Sequence, residues 1–204
     1  MPQRLSNKEL AHLPKEVARP GYDRSKVTPG ILHFGVGAFH RSHQALTIDR
    51  LLEKGLASDW GIIGVGLLAG DSKMRDALNP QDCLYTLITK HSDGKVDYQV
   101  IGSIISYLFA PDSPAKVIEA ICDPAIRIIS LTITEGGYSF DRVTGEFDPT
   151  TASVAHDLKD SSSPVSAFGF IYEGLKKRKE LGLPAPTIQS CDNIQGNGDV
   201  AKKM

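Results

Sequence analysis

Gly35 and Gly37, followed by Ala38, Phe39, His40 and Arg41, are the residues of this chain best suited to holding an anion. They come directly after the apolar run Ile31, Leu32, His33, Phe34 and before a helix-forming stretch at about 43–54. Strand, glycine turn and helix in that order make the phosphate-binding corner of a dinucleotide fold. The first glycine permits the tight turn, and the second lets a pyrophosphate approach the backbone. The helix start offers free N–H groups and a positive dipole end. His40 stands where the fingerprint usually has a third glycine. Two glycines alone describe an ordinary turn as well as a cofactor site.

The elements that would position this turn alternate. Residues 1–29 are polar, contain Pro14, Pro20 and Pro29, and read as an irregular arm leading into the first strand. Helix 43–54 gathers Ala45, Leu46, Ile48, Leu51 and Leu52 on one face and stops at Gly55. A second apolar strand spans 60–68, where Gly64 and Gly66 mark the close approach of a backbone or a ligand. A short helix is expected at 71–78. Strands 84–90 and 96–103 flank His91, Ser92, Asp93 and Gly94 as a hairpin. Helix 114–122 and the β-branched strand 127–134 come next, then a long helix at 164–181 with Phe168, Ile171, Tyr172 and Leu175 on one face. A strand at 187–191 and a helix starting near Asn197 complete the pass. The alternation predicts an α/β fold, a Rossmann-like, doubly wound, mostly parallel sheet with an inserted antiparallel hairpin.

Ligands of such sheets gather beyond the carboxyl ends of the strands. Four strand ends carry distinctive residues: the turn at Gly35, then Gly70 and Asp71, then Glu135, Gly136, Gly137 and Tyr138, and finally Asp192 and Asn193. Each also has a purely structural reading. Gly136 and Gly137 can form a plain turn, Asp192 and Asn193 a turn or helix cap, and Asp71 the N-cap of its short helix. Asp71 also lies farther from the glycines than the ~20 residues usual for a ribose-binding acid.

Composition narrows the class. A chain of 204 residues, 41% apolar and 23% charged, buries a substantial core. A net charge of −1 gives no reason to expect nucleic acid or an anionic membrane as partner. The apolar run at 60–70 is too short to span a bilayer, and residues 1–16 lack a signal-peptide pattern. Cys83, Cys122 and Cys191 are odd in number and far apart, which favours a reducing, cytoplasmic compartment. His33, His40 and His43 lack a cysteine or carboxylate at zinc-like spacing, so no metal is expected.

Four segments together resemble the polyol-specific long-chain dehydrogenases, the mannitol dehydrogenase family. They are residues 31–43 (ILHFGVGAFHRSH), 59–66 (DWGIIGVG), 130–138 (SLTITEGGY) and 190–193 (SCDN), in the family's order. The resemblance covers nearly the whole chain from about Leu13 and is closer to the mannitol 2-dehydrogenase branch than to the mannonate or altronate oxidoreductases. It implies NAD as cofactor and a small-molecule polyol or ketose as substrate. Ile31, Leu32, His33, Phe34, Gly35, Val36, Gly37, Ala38, Phe39, His40, Arg41 and Ser42 would form the NAD-binding strand and loop. Asp71 would bind the adenosine ribose hydroxyls, Glu135 and Gly136 would line the nicotinamide side, and Asn193 would help polarise the substrate carbonyl. The resemblance also implies a lysine base, with a second asparagine and a histidine, in a helical C-terminal domain. Lys202 and Lys203 do not match that motif. The expectation is an arm at 1–29 and an NAD-binding domain at 30–204 that ends inside a helix, the catalytic domain being absent and the chain alone inactive.

Two other readings compete. Tyr172 and Lys176 have the Tyr-x-x-x-Lys spacing of short-chain dehydrogenases, in which the lysine activates the tyrosine as acid or base. The glycine loop departs from that family's Thr-Gly-x-x-x-Gly-x-Gly, so core packing of Tyr172 with a solvated Lys176 is the better account. A non-catalytic nucleotide-binding module is the reading from a different class.

Overall fold

The computed structural model describes residues 4–141 and 144–204. In chain order the elements are β1 (Val17–Ala18), β2 (Pro29–Phe34), α1 (Ala38–Ser42), α2 (Gln44–Glu53), β3 (Gly61–Gly66), α3 (Ser72–Leu78), β4 (Tyr85–Lys90) and β5 (Val96–Ile101). Then follow β6 (Ile104–Phe109), α4 (Pro114–Ile121), β7 (Ile128–Leu131), α5 (Ala152–Lys159), α6 (Ala167–Glu180), β8 (Thr187–Ser190) and α7 (Asn197–Lys203).

The main sheet has the order β6-β3-β2-β7-β8, and all its pairings are parallel. β2 lies at its centre, and every residue after Pro29 is buried, as a strand covered by helices on both faces requires. Side chains alternate along it. Leu32 and Phe34 enter a core with Val117 and Ile121 of α4 and Phe170 of α6, whereas Ile31 enters the opposite core with Ala45 of α2 and Leu78 of α3. Arg178 of α6 is buried and caps α4 by donating to the carbonyls of Ile121 (2.7 Å) and Asp123 (2.9 Å). From β2 the chain winds out through β3 and β6, then returns to the other side for β7 and β8. The reversal between β2 and β7 opens a crevice at their carboxyl ends.

The fold is the doubly wound one expected, with corrections. The hairpin β4–β5 is not inserted in the main sheet; with β1, parallel to β5, it forms a separate three-stranded sheet. Strand β6 was missing from the expectation, because only Gly102 and Ser103 separate it from β5 and the two read as one apolar run. Helix α5 was also missing. A helical turn, α1, follows Gly37 directly and breaks from α2 at His43 (φ −121°, ψ −79°). On α6 the buried residues are Ala167, Phe170, Ile171, Gly174 and Arg178. Tyr172 is 63% exposed and not in the core, and Lys176 pairs with Glu173 at 3.5 Å, so neither the core packing nor a catalytic Tyr172 pair is found. Gly64 and Gly66 do mark close approaches, but by the side chains of Val36, Tyr107 and Asp71.

The arm is docked. Arg24 donates from Nε to the Gly102 carbonyl (2.9 Å), from Nη2 to those of Asp82 (2.8 Å) and Ile104 (3.0 Å), and from Nη1 to Asn7 Oδ1 (2.5 Å). Tyr22 donates to Asp49 (2.6 Å), a buried acid of α2 that also accepts from the Gly102 N–H (2.8 Å). Replacing Arg24 with Ala removes every one of these donors and leaves carbonyls unpaired. A loss of about 2–4 kcal/mol in unfolding free energy is expected by urea titration.

Candidate functional site

Gly35 leaves β2 with φ +91°, and a Cβ there would overlap the carbonyl of Thr132 at the end of β7. Glycine alone satisfies both conditions. Its carbonyl is turned inward, where it accepts from Thr132 Oγ1 (2.6 Å), the Gly37 N–H (2.7 Å) and His33 Nε2 (3.2 Å). A carbonyl cannot donate, so Thr132 spends its hydroxyl proton on Gly35. His33 then carries its own proton on Nε2, which lies 2.9 Å from Thr132 Oγ1, and its Nδ1 accepts from Ser130 Oγ at 2.7 Å. His40 stacks on His33 with ring centroids 3.5 Å apart and 12° between planes. Both rings are buried. His40 therefore fills the space beneath the turn that the usual third glycine leaves to backbone packing.

With the Gly35 carbonyl inside, the N–H groups of Ala38, Phe39 and His40 open α1 without intrahelical acceptors. Gly37, Ala38 and Phe39 are exposed, and a Cβ on Gly37 would meet nothing closer than the Gly35 carbonyl at 3.9 Å. Backbone N–H groups free of intrahelical acceptors in this way are able to pair with an anion. α1 has five residues, so the preference rests on hydrogen bonds at close range and not on a long helix dipole. Arg41 ties the turn down through Nη1 to the Val36 carbonyl (2.9 Å), and Ser42 Oγ donates to the Ala38 carbonyl (2.9 Å). Ile31, Leu32, His33 and Phe34 are at most 2% exposed and paired on both sides, so they carry the loop and do not line it.

The other strand ends fall along the same edge of the sheet. Asp71 follows β3, and its Oδ2 accepts from the N–H groups of Leu67 and Leu68, both at 2.9 Å. It stands at the N-cap position of α3, but its side chain closes the preceding loop and does not cap the helix. Arg75, one turn on, is engaged by Asp76 (2.9 Å) and Asp112 (2.7 Å) and lies over Phe109. Glu135 and Gly136 are exposed in a 3-10 turn after β7, and Asn193 is exposed after β8. The strand ends singled out in the sequence thus lie side by side along this edge. Sequence reading gave no role to Ser130, Thr132 and Ser190, and it did not foresee that Tyr138 and Asp192 bond to each other in the layer beneath. In the structure Ser130 pairs in register with His33, and Thr132 follows directly after β7. A cavity of about 720 Å³ lined by Tyr22, Arg24, Cys83 and Tyr107 contains none of the turn residues, and its arginine already makes four hydrogen bonds.

Burial pushes both histidines toward the neutral form. It takes His40 down to about 4, with the neighbouring Arg41 charge adding and Gln44 beside the ring opposing. Neither ring nitrogen of His40 makes a hydrogen bond of normal geometry among the described residues. His33 is held well below the ordinary value by burial and by His40, against the Gly35 carbonyl.

Comparison with known proteins agrees with this geometry. The Mannitol dehydrogenase Rossmann domain profile matches residues 29–204. A polyol:NADP oxidoreductase of Gluconobacter oxydans is 43% identical over 201 residues, covering 98% of this chain and 41% of its own length. A mannitol 2-dehydrogenase of Cereibacter sphaeroides is 45% identical over 188 residues, covering 92% and 39%. Among solved structures, Pseudomonas fluorescens mannitol 2-dehydrogenase in a ternary complex with NAD and D-mannitol superposes with a TM-score of 0.95 at 45% identity, covering 98% of this chain and 41% of that one. The chain thus spans about two fifths of the length of these relatives.

Two expectations follow. Thr132→Val keeps the shape but leaves the Gly35 carbonyl short of a donor, and should cost about 1–2 kcal/mol in chemical unfolding. The unfolded chain binds a proton on His40 near pH 6.5, whereas the folded chain resists it to about pH 4. Stability is therefore complete above pH 6.5 and falls as pH drops toward 4, by on the order of 2 kcal/mol at pH 5. Urea titrations at pH 7 and 5 should show this loss, and His40→Phe should shrink it.

Proposed function

We propose, from the premise that the chain belongs to the mannitol dehydrogenase family, that it is the cofactor-binding part of an NAD-dependent polyol 2-dehydrogenase acting on mannitol/fructose-type substrates. The observation that carries this reading is the Gly35 turn, locked inward on Thr132 and His33 at the switch point of a doubly wound sheet. NAD, when bound, accepts the hydride from the carbinol carbon. Gly35, Val36, Gly37, Ala38, Phe39, His40, Arg41 and Ser42, carried by the strand Ile31–Phe34, would hold its pyrophosphate through exposed backbone N–H groups. Asp71 would take the adenosine ribose hydroxyls, and Glu135 and Gly136 would face the nicotinamide. Asn193 would donate its amide N–H to the substrate oxygen, stabilising negative charge there.

Release of the hydroxyl proton needs a base. The lysine motif that supplies it in the family is not present in these residues, so the chain by itself should bind cofactor without oxidising mannitol. Three unpaired cysteines support a reducing, cytoplasmic setting.

One relative carries NADP in its name and another was captured with NAD, so cofactor choice turns on local residues. A carboxylate at Asp71 repels a 2′-phosphate, and Arg75 is already paired with two acids. Titration with NADH, followed by its fluorescence, should saturate, and properly folded protein that leaves NADH free would refute the reading. Asp71→Asn keeps an acceptor for Leu67 and Leu68 but loses the charge. It should shift the ratio of NADH to NADPH affinity about tenfold toward NADPH.

A further inference from the structure

Asp192 is the most heavily engaged carboxylate at the strand ends, and the reading above gives it no part. Its Oδ1 accepts from the Thr134 N–H (2.9 Å), and its Oδ2 accepts from the Ile133 N–H (3.0 Å) and the Tyr138 hydroxyl (2.7 Å). Tyr138 is fully buried, and its oxygen in turn accepts from Ser190 Oγ at 2.5 Å, because its own proton is spent on Asp192. On the main chain, the Asp192 carbonyl accepts from the Ile194 N–H (2.9 Å) and Asn197 Nδ2 (3.1 Å). One residue thus ties the end of β8 to the end of β7.

What it holds is strained. Thr134 has φ +61° and ψ +171°, a conformation costly for a β-branched residue and held only where its surroundings over-determine it. This kink turns the chain out of β7 and leaves Glu135 and Gly136 exposed at the crevice. Asn193 follows Asp192 directly and is exposed at the same crevice. The glycine turn lies after β2, and the ribose acid candidate lies after β3 on one side of it. A dinucleotide laid across that turn puts its adenosine half over β3 and its other half over β7 and β8.

The geometry points to Asp192 as the positioning residue of the nicotinamide side: its carboxylate fixes the Thr134 kink and the Tyr138 anchor, and so sets Glu135, Gly136 and Asn193 in register across the crevice. This rests on the cofactor reading above. The carboxylate touches neither ligand; it acts through the backbone it holds.

ADP-ribose, which is NAD without the nicotinamide base, separates this role from a general structural one. In the 204-residue chain, Asp192→Asn places an amide donor against an N–H or a hydroxyl donor. It should weaken NADH binding about tenfold while leaving ADP-ribose within about twofold of the parent, both measured by calorimetry. Tyr138→Phe keeps the ring and removes one donor, and should show the same split with a smaller amplitude even where Asp192→Asn fails to fold. Asp192→Glu should not restore the parent ratio, because its longer stem cannot meet all three donors. Parallel loss of both ligands, or no loss of either, would overturn the role of Asp192 and leave the cofactor reading standing. A parent chain that binds neither ligand would remove the cofactor reading and this inference with it.

Discussion

The contact between Gly35 and Thr132 is the constraint on which the crevice depends. Two neighbouring parallel strands, β2 and β7, come so close at their carboxyl ends that no side chain fits between them. The backbone must therefore turn at once, and the Gly35 carbonyl, facing inward, is caught by a hydroxyl, an imidazole and an amide. Everything exposed afterwards follows from that inward turn. If this carbonyl faced outward, it would present negative charge where the chain now presents N–H groups. The histidine pair beneath gives the turn a floor of aromatic stacking and one defined tautomer.

Much of this was legible in the residues, and the limits have physical causes. Strong apolar runs such as that of β2 announce buried strands, because a strand covered on both faces has no polar positions to spare. The edge strand β6 was lost, because adjacency to β5 hides a change of sheet that only two residues, Gly102 and Ser103, accomplish. On α6 the expected face holds at Phe168, Ile171 and Leu175 but not at Tyr172, since Tyr172 and Phe170 are both aromatic and only packing decides which one turns inward. Gly174, where a side chain would strike Ile121, fixes that packing. Among the site residues, those exposed at strand ends could be read from type and position. The bonds that tie Thr132 and Asp192 beneath them could not, because hydrogen bonds between residues 58 or 97 positions apart leave no local periodicity.

A second pattern joins the distant parts. Buried and partly buried polar side chains here bind the main chain at several places: Arg24 three carbonyls, Arg178 the end of α4, Asp49 the Gly102 amide, and Asp192 the Thr134 amide. Such ties satisfy backbone groups at irregular places, where no strand or helix partner exists. They help a doubly wound sheet carry a second small sheet and a strained loop.

Asp71 shows how this economy restricts change. One of its oxygens is already occupied in closing the loop after β3. A lineage drifting from one dinucleotide to the other cannot simply discard the charge at this position. Any replacement must still accept from Leu67 and Leu68, or the loop must be rebuilt in the same step. On the cofactor reading proposed above, cofactor preference and loop integrity are coupled in one side chain, and accessible evolutionary paths pass through residues that keep an oxygen there.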